Sequence, residues 1–361
     1  MLCTRESEPI ATRGQRPVYC IDPLEDPRWP ECVARHPKAS VFHSRAWLRA
    51  LQITYGYEPV VFTTCAPVEP VTNALVFCVV RSWLTGDRLV SLPFSDHCEP
   101  LVTWPEEGRT LIAFVETLQK TERLKYVEIK SADVDVLYGG TFSARRTYCL
   151  HRLSLQPDLD TLYRRLHKDC IQRKIRRAER EGLRYEVGAD ESLIDRFYRL
   201  LQSTRARHRL PPQPIEWFRN LVACLGSAVQ IRIASHAGRP VAGIVTLRQG
   251  KQIVYKYGAS DAAWNHLGGM PMLLWETIKE AKHDGCNSLD LGRSDPDNPG
   301  LIVFKERWAA ECSLLSTWRT PPVAMVLQRE RRTMQCVKRL FGRLPGSVQT
   351  FVGRLLYRHI G

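Results

Sequence analysis

Two features of the sequence have residue types and spacing suited to chemistry: a dense run of cations, and a glycine pair entering an apolar helix. Between Arg164 and Arg184, nine Lys and Arg face only Asp169, Glu179 and Glu181, a net of +6, with Arg173, Arg176 and Arg177 at the centre. Such density suits phosphate groups, nucleic acid or an anionic surface; a solvated helix face is the plainer alternative. In "HLGGMPMLLW", Gly268 and Gly269 precede a helix, and backbone N–H groups at such a start can hold phosphate. A simple turn with a proline start is the competing account. In "IVYKYGAS", strand alternation places Tyr255 and Tyr257 on one face and Lys256 on the other. A tyrosine hydroxyl at a cleft could return a proton to a leaving group. Asp96 and His97, in "PFSDHCEP", fall just past a strand end, where a cleft-facing base could sit. Asp290, Arg293, Ser294, Asp295 and Asp297 line the exit of another strand. Asp295-Pro-Asp297 imitates a metal-binding DxD, but Pro296, Asn298, Pro299 and Gly300 around it favour a turn. No Ser-His-Asp order, HExxH or Walker loop is present, and no metal is expected.

The elements that must position these residues repeat. "SRAWLRALQITYG" and "GRTLIAFVETLQKTERL" have helical apolar spacing, with strand-like "EPVVFTT", "NALVFCVVRSWL" and "RLVSLPF" between them and "KYVEIKS" after. The second half runs through the helical "LIDRFYRLLQSTRARH", three strands joined by the turns "HAGRP" and "QGK", and the helix "PMLLWETIKEAKHDG". The strand "NSLDLGRS", the short helix "GLIVFKERWAA" and the closing strand "ECSLLSTWR" follow. Both halves read helix, antiparallel strands, helix, strand, an α+β architecture used twice. The expected divisions are 1–155, 156–324 and a basic amphipathic tail at 325–361.

Composition agrees. With 361 residues and 44% hydrophobic content, the chain can fill about two domain cores. The net charge is +14, and residues 325–361 add eight cations against Glu330, a net of +7, so two stretches carry nearly all of it. The twelve cysteines show no CxxC pair and sit mostly in apolar runs, which suits reduced thiols in a cytosolic protein. The first twenty residues have no signal-peptide core, and no apolar run reaches the roughly 18 residues of a membrane span.

From "YKYGASDAAWNHLGGMPMLLWETIKEAKHDGCNSLDLGRSDPDNPGLIVFKERWAA", through "HKDCIQRKIRRAEREGL" and more loosely "LVSLPFSDHCEPLV", the chain resembles FemAB-type and cellulose-biosynthesis-associated acyltransferases of the GNAT superfamily. The resemblance covers most of Phe42 to Trp318. It implies tandem GNAT-like domains, each a mainly antiparallel mixed sheet flanked by helices, with a cleft between them. It also implies an N- or O-acyltransferase whose donor is an acyl-CoA or an aminoacyl-tRNA. The stretch lacks the usual acetyl-CoA pattern of a basic residue followed by spaced glycines. Lys305 matches the lysine of the family's Gly-Leu-x-x-Phe-Lys motif, which implies contact with a substrate phosphate or the developing oxyanion.

Acyl transfer needs a donor pocket, a positioned nucleophile, a proton route and positive character where the oxyanion forms. Lys305, Tyr255, Asp96 and His97 are the catalytic candidates. Gly268, Gly269, Arg173, Arg176, Arg177, Arg293 and Asp295 are the donor- or substrate-binding candidates. The expected partners are a phosphate-bearing donor and acceptor, with tRNA among the possible donors. The expected reaction modifies a cell-envelope or exopolysaccharide precursor; the alternative is a non-catalytic RNA- or membrane-binding protein that retains the fold. In the tail, Val337, Leu340, Phe341 and Leu344, then Val348, Phe351, Val352, Leu355 and Leu356, recur at helical spacing among arginines. That pattern suits either an anionic membrane surface at the inner face of the cytoplasmic membrane or a helix packed on the domain.

Overall fold

The computed structural model describes residues 17–133, 137, 140–321, 353 and 356–359, and among them the chain divides into two compact units. The first runs from residue 17 to Thr147 and takes in Leu314 onward and the last described turn; the second runs from Tyr148 to Ser313.

The first unit holds β1 (Tyr19–Ile21), α1 (Arg28–Arg35), α2 (Arg45–Tyr55), β2 (Glu58–Thr63), β3 (Leu75–Val80), β4 (Arg88–Val90), α3 (Pro105–Thr121) and β5 (Tyr126–Ser131). Helix α2 starts where Ser44 Oγ accepts from Trp47 N at 3.2 Å. It stops at Gly56, whose φ of 73° turns the chain out of the helix. Its apolar stripe buries Trp47, Leu48, Leu51 and Tyr55. Strand β3, LVFCVV, is buried at every position, which is why it shows no polar alternation.

Next come β6 (Ser143–Ser154), α4 (Leu159–Arg165), α5 (Arg173–Arg180), β7 (Arg184–Gly188), α6 (Glu191–Arg207), α7 (Ile215–Leu225), β8 (Val229–His236), β9 (Arg239–Gln249), β10 (Gln252–Ser260), α8 (Gly269–His283), β11 (Ser288–Ser294), α9 (Pro299–Glu306) and β12 (Glu311–Thr320). A π-helical turn, Lys168–Gln172, leads into α5. Strands β7 to β10 pair antiparallel in sequence order, and α8 carries the chain from β10 to its parallel neighbour β11. Strands β1 to β4 do the same in the first unit, with α3 linking β4 to its parallel neighbour β5. The expected repeat of α+β architecture is therefore real.

Its last strands are exchanged. Strand β5 pairs with β12, through Ser316–Thr320 against Val127–Ser131, while β11 pairs with β6, through Cys149–Ser154. In the second unit, the core gathers Ile175 and Ala178 of α5 with Leu273, Leu274 and Ile278 of α8 and Val241, Ala242 and Ile244 of β9.

Of the cysteines, Cys32, Cys65, Cys78, Cys98 and Cys286 are buried free thiols, whereas Cys20 is disulfide-bonded, against the expectation of thiols throughout. Residues 1–16 and most of 325–361 lie outside the described residues, and with them most of the expected tail. The turn at Leu356–His359 packs on the first unit, where buried Arg88 donates from Nη2 to His359 O at 2.6 Å and Tyr57 donates its hydroxyl to Tyr357 O. No helix among the described residues is long and apolar enough to cross a membrane.

Candidate functional site

A pocket of about 290 Å³ opens in the second unit at the start of α8. Strands β10 and β11 pair only over Gln252–Val254 and Ser288–Asp290. Beyond that, β10 continues with β9 to Ser260 and β11 with β6 to Ser294, so the parallel strands part just before α8 begins. Ligands collect at this end of parallel βα units. The chain reaches α8 through the 3-10 turn Ala262–Leu267, where Asp261 Oδ1 accepts from Ala263 N at 3.1 Å.

The glycine pair then makes close approach possible. Gly268 has φ of +84°, and a Cβ there would lie 2.3 Å from Lys174 O. A Cβ on Gly269 would lie 3.1 Å from the Cβ of Ala242. Only glycine lets α5 and β9 come this near the helix start. The N–H groups of Gly269 and Met270 have no carbonyl one turn back, Pro271 has no N–H, and the first turn contains no acidic residue. The positive end of the helix dipole is therefore left open at the pocket. Lys174 and Arg307 add two cations to a lining without a carboxylate, while Ile171, Val241, Ala242 and Phe304 make apolar walls. This combination holds a phosphate or pyrophosphate with an apolar group beside it.

The basic stretch does reach this pocket, though not through the arginines expected. Arg173 pairs with Asp169 at 3.7 Å, and Arg177 with Glu181 at 3.5 Å. Arg176 donates to Tyr163 Oη at 3.2 Å and to Gln172 Oε1 at 3.1 Å. The stretch instead lines the pocket with Cys170, Ile171 and Lys174. Lys174 lies one turn past Cys170, at the edge of the buried stripe of Ile171, Ile175 and Ala178. That position was the signal available in the sequence, hidden by the cations on either side.

Tyr255 and Tyr257 do not share a face. A β-bulge between them shifts the register against β9, so simple alternation fails here. Tyr257 accepts from Trp217 Nε1 at 2.8 Å, beside Phe218. Tyr255 turns to the opposite side, where its hydroxyl lies 3.9 Å from Met270 Sδ and burial pushes its pKa up to about 12. Gly258 makes room for it, since a Cβ there would fall 1.8 Å from that oxygen. Tyr255 thus stands behind Met270 and outside the pocket lining.

Lys305 is 2% exposed, and its Nζ donates to Gly292 O at 2.8 Å and Arg293 O at 3.0 Å. Asp290 Oδ1 accepts from Gly292 N at 2.6 Å, so lysine and aspartate together fix the bulge in β11. Phe304 on α9 and Arg307 just past its end reach the pocket. Arg293 stacks its guanidinium 4.7 Å from the Tyr148 ring centre. Asp295 Oδ1 accepts from Asp297 N at 3.1 Å, forming the turn anticipated for that segment. Among the described residues, no group of His, Cys, Asp and Glu is arranged to hold a metal ion.

His151 was missed in the sequence. It is fully buried, and neither ring nitrogen has a hydrogen-bond partner among the described residues. Burial first, and the Lys305 ammonium second, lower its pKa and keep it neutral. An isolated histidine in a strand carries no motif to reveal it.

Asp96 and His97 belong to the first unit. His97 is 3% exposed and sits edge-on to Phe42 at 5.5 Å, in the core rather than on an open loop as expected. Asp96 beside it is half-buried.

Comparison with known proteins bears on the second unit most directly. Residues 164–305 match the family model described as the acetyltransferase (GNAT) domain. The UDP-N-acetylmuramoylpentapeptide-lysine N(6)-alanyltransferase of Weissella viridescens is 25% identical over 143 residues, which is 39% of this chain and 42% of that protein. The match therefore spans less than half the length of that relative. Among solved structures, FemX superposes with a TM-score of 0.63 at 13% identity, over 89% of this chain and 99% of that one. The tandem GNAT protein from the clavulanic acid biosynthesis pathway gives 0.54 at 11% identity, over 84% and 97%. At these identities the structural likenesses concern the fold, and they agree with the α+β tandem architecture. Residues 164–305 match the GNAT domain model, and the chain has the two-unit α+β fold seen in FemX and in the tandem GNAT protein.

Proposed function

We propose that this chain is an acyltransferase. It moves an acyl or aminoacyl group from a phosphate-bearing donor, an acyl-CoA or an aminoacyl-tRNA, to an amine or hydroxyl of a cell-envelope or exopolysaccharide precursor. The observation that carries the proposal is the carboxylate-free pocket at the α8 N-terminus, lined by Lys174 and Arg307 within a GNAT domain. The name of the alanyltransferase relative supports the choice of acceptor class. In the reaction, the acceptor nitrogen or oxygen bonds to the acyl carbon and the donor's ester or thioester bond breaks. The acceptor's proton ends on the departing oxygen or sulfur.

Lys305 acts as a positioning residue that keeps the β11 bulge in place. Arg173, Arg176 and Arg177 supply the field that draws in a large polyanionic donor such as tRNA. The basic 325–361 stretch holds the enzyme against the inner face of the cytoplasmic membrane, near a lipid-linked acceptor. The test offers the purified protein a panel of acyl-CoAs and charged tRNAs, with transfer read by mass spectrometry. One donor class should bind and react, and Lys174→Glu should weaken its binding by at least about tenfold while the melting temperature stays put, because the side chain is exposed. Equal donor binding by Lys174→Glu, or no binding of either class by the native chain, overturns the reading.

A further inference from the structure

The turn between β3 and β4 exposes two large apolar side chains, Trp83 at 88% and Leu84 at 54%. Tryptophan is rarely left this bare in a folded chain. The turn is also firmly built. Ser82 Oγ accepts from Thr85 N at 3.0 Å, Gly86 N donates to Ser82 O at 2.7 Å, and Lys125 Nζ donates to Thr85 O at 2.9 Å. The chain's last described turn is pinned to the same place. Its His359 carbonyl accepts from Thr85 Oγ1 at 2.9 Å and from Arg88 Nη2, and its imidazole lies edge-on to Trp83 at 5.9 Å. Exposure of Trp83 therefore belongs to an ordered, buttressed tip.

We infer that this tip inserts Trp83 and Leu84 into the interfacial layer of an anionic lipid surface. Charge and size decide for lipid over protein. Lys125 lies across the turn, exposed Arg358 sits on the docked segment, and no acidic residue follows Glu330 in the sequence. Two side chains on a narrow tip offer far less than the roughly 800 Å² per partner of a stable protein interface. They are enough for an interfacial anchor, where one tryptophan and a few nearby cations each contribute. The inference rests on the membrane-surface part of the proposed function, gives it a contact residue by residue, and is independent of the transfer chemistry.

The experiment compares the full chain with a Trp83→Ser/Leu84→Ser double variant. Co-sedimentation is measured with vesicles of phosphatidylcholine, with and without phosphatidylglycerol, and sedimentation velocity is run over a protein dilution series. The native chain should bind the phosphatidylglycerol vesicles and scarcely the neutral ones, and the double variant should bind at least about tenfold more weakly with an unchanged melting temperature. Brominated lipid should quench part of the native fluorescence and lose that part in the variant. Equal vesicle binding by the two proteins, or no binding by the native chain, overturns the inference. So does concentration-dependent self-association that the double substitution abolishes, which would make a second copy the occupant. Donor binding by the variant is measured in parallel and should match the native chain. If it is absent in both while vesicle binding behaves as expected, the enzymatic reading fails alone.

Discussion

The same crossover is built twice in this molecule, once as β4-α3-β5 and once as β10-α8-β11, and the two helix starts have opposite electrostatics. At α3, Glu106 and Glu107 occupy the first turn. The Glu107 carboxylate reaches back to Thr103 N at 3.4 Å and Trp104 N at 3.3 Å, while Asn73 Nδ2 donates to its other oxygen at 3.0 Å. The helix has supplied its own anion. At α8 the first turn has no acid, a left-handed glycine precedes it, and Lys174 and Arg307 wait beside it. The pocket of about 200 Å³ in the first unit makes the same point: its Arg28 and Arg35 are already paired with Asp26 and Glu31. Topology places an N-terminus at the end of parallel strands in both repeats. Local side chains decide whether that end is closed on itself or open to a ligand.

The most damaging substitution should be Gly268→Ala. It forces a left-handed backbone on alanine and drives a methyl into the Lys174 carbonyl, at a cost of about 2–3 kcal/mol with donor binding lost as well. Denaturant unfolding that matches the native protein would show that α5 does not hold the α8 start as described.

Acid should expose a group in the first unit to a similar extent. Burial, above all, lowers the pKa of His43 to about 4. Ser40 N–H donates to its Nδ1 at 3.1 Å, so the neutral ring carries its proton on Nε2, facing Glu99 O at 3.1 Å. Because the folded value is depressed, the unfolded chain takes up the proton first. The contribution is intact above about pH 6.5 and is lost as pH falls toward 4, to a total of about 3 kcal/mol. Melting temperatures across that window should fall more steeply for the native protein than for His43→Gln. A residual slope should remain from His151, whose pKa is shifted the same way. Parallel curves would remove His43 as the cause.

The smallest effect should come from opening the closed helix. Glu107→Gln removes the charge from the α3 start and should cost about 1 kcal/mol, with no change in donor affinity. A gain of phosphate binding in the first unit would sharpen the comparison beyond expectation, whereas a loss of donor affinity would break it.

Much of this was legible from local pattern. The apolar stripe of α2, the glycine stop after it and the proline near the start of α8 all identify elements, because capping and periodicity act within a few residues. The glycine pair does precede a helix, the basic stretch does form one, and Asp295 does sit in a turn. Tyr257 was misplaced because a bulge is invisible to strict alternation, and His97 because a histidine in a loop-like string reads as exposed until Phe42 is seen against it. Lys174 was hidden among equivalent cations, and His151 gave no pattern at all.

Sequence alone determined the repeated α+β elements, the two concentrations of positive charge and the glycine pair before a helix. These follow from side-chain volume, charge and conformational preference, which each residue carries with it. Tertiary structure decided which strand closes each unit, with β12 joining β5 and β6 joining β11. It also decided which single lysine of the basic stretch meets the pocket. The strand exchanges join partners more than a hundred residues apart in the chain, whose pairing energies have no signature in any local window.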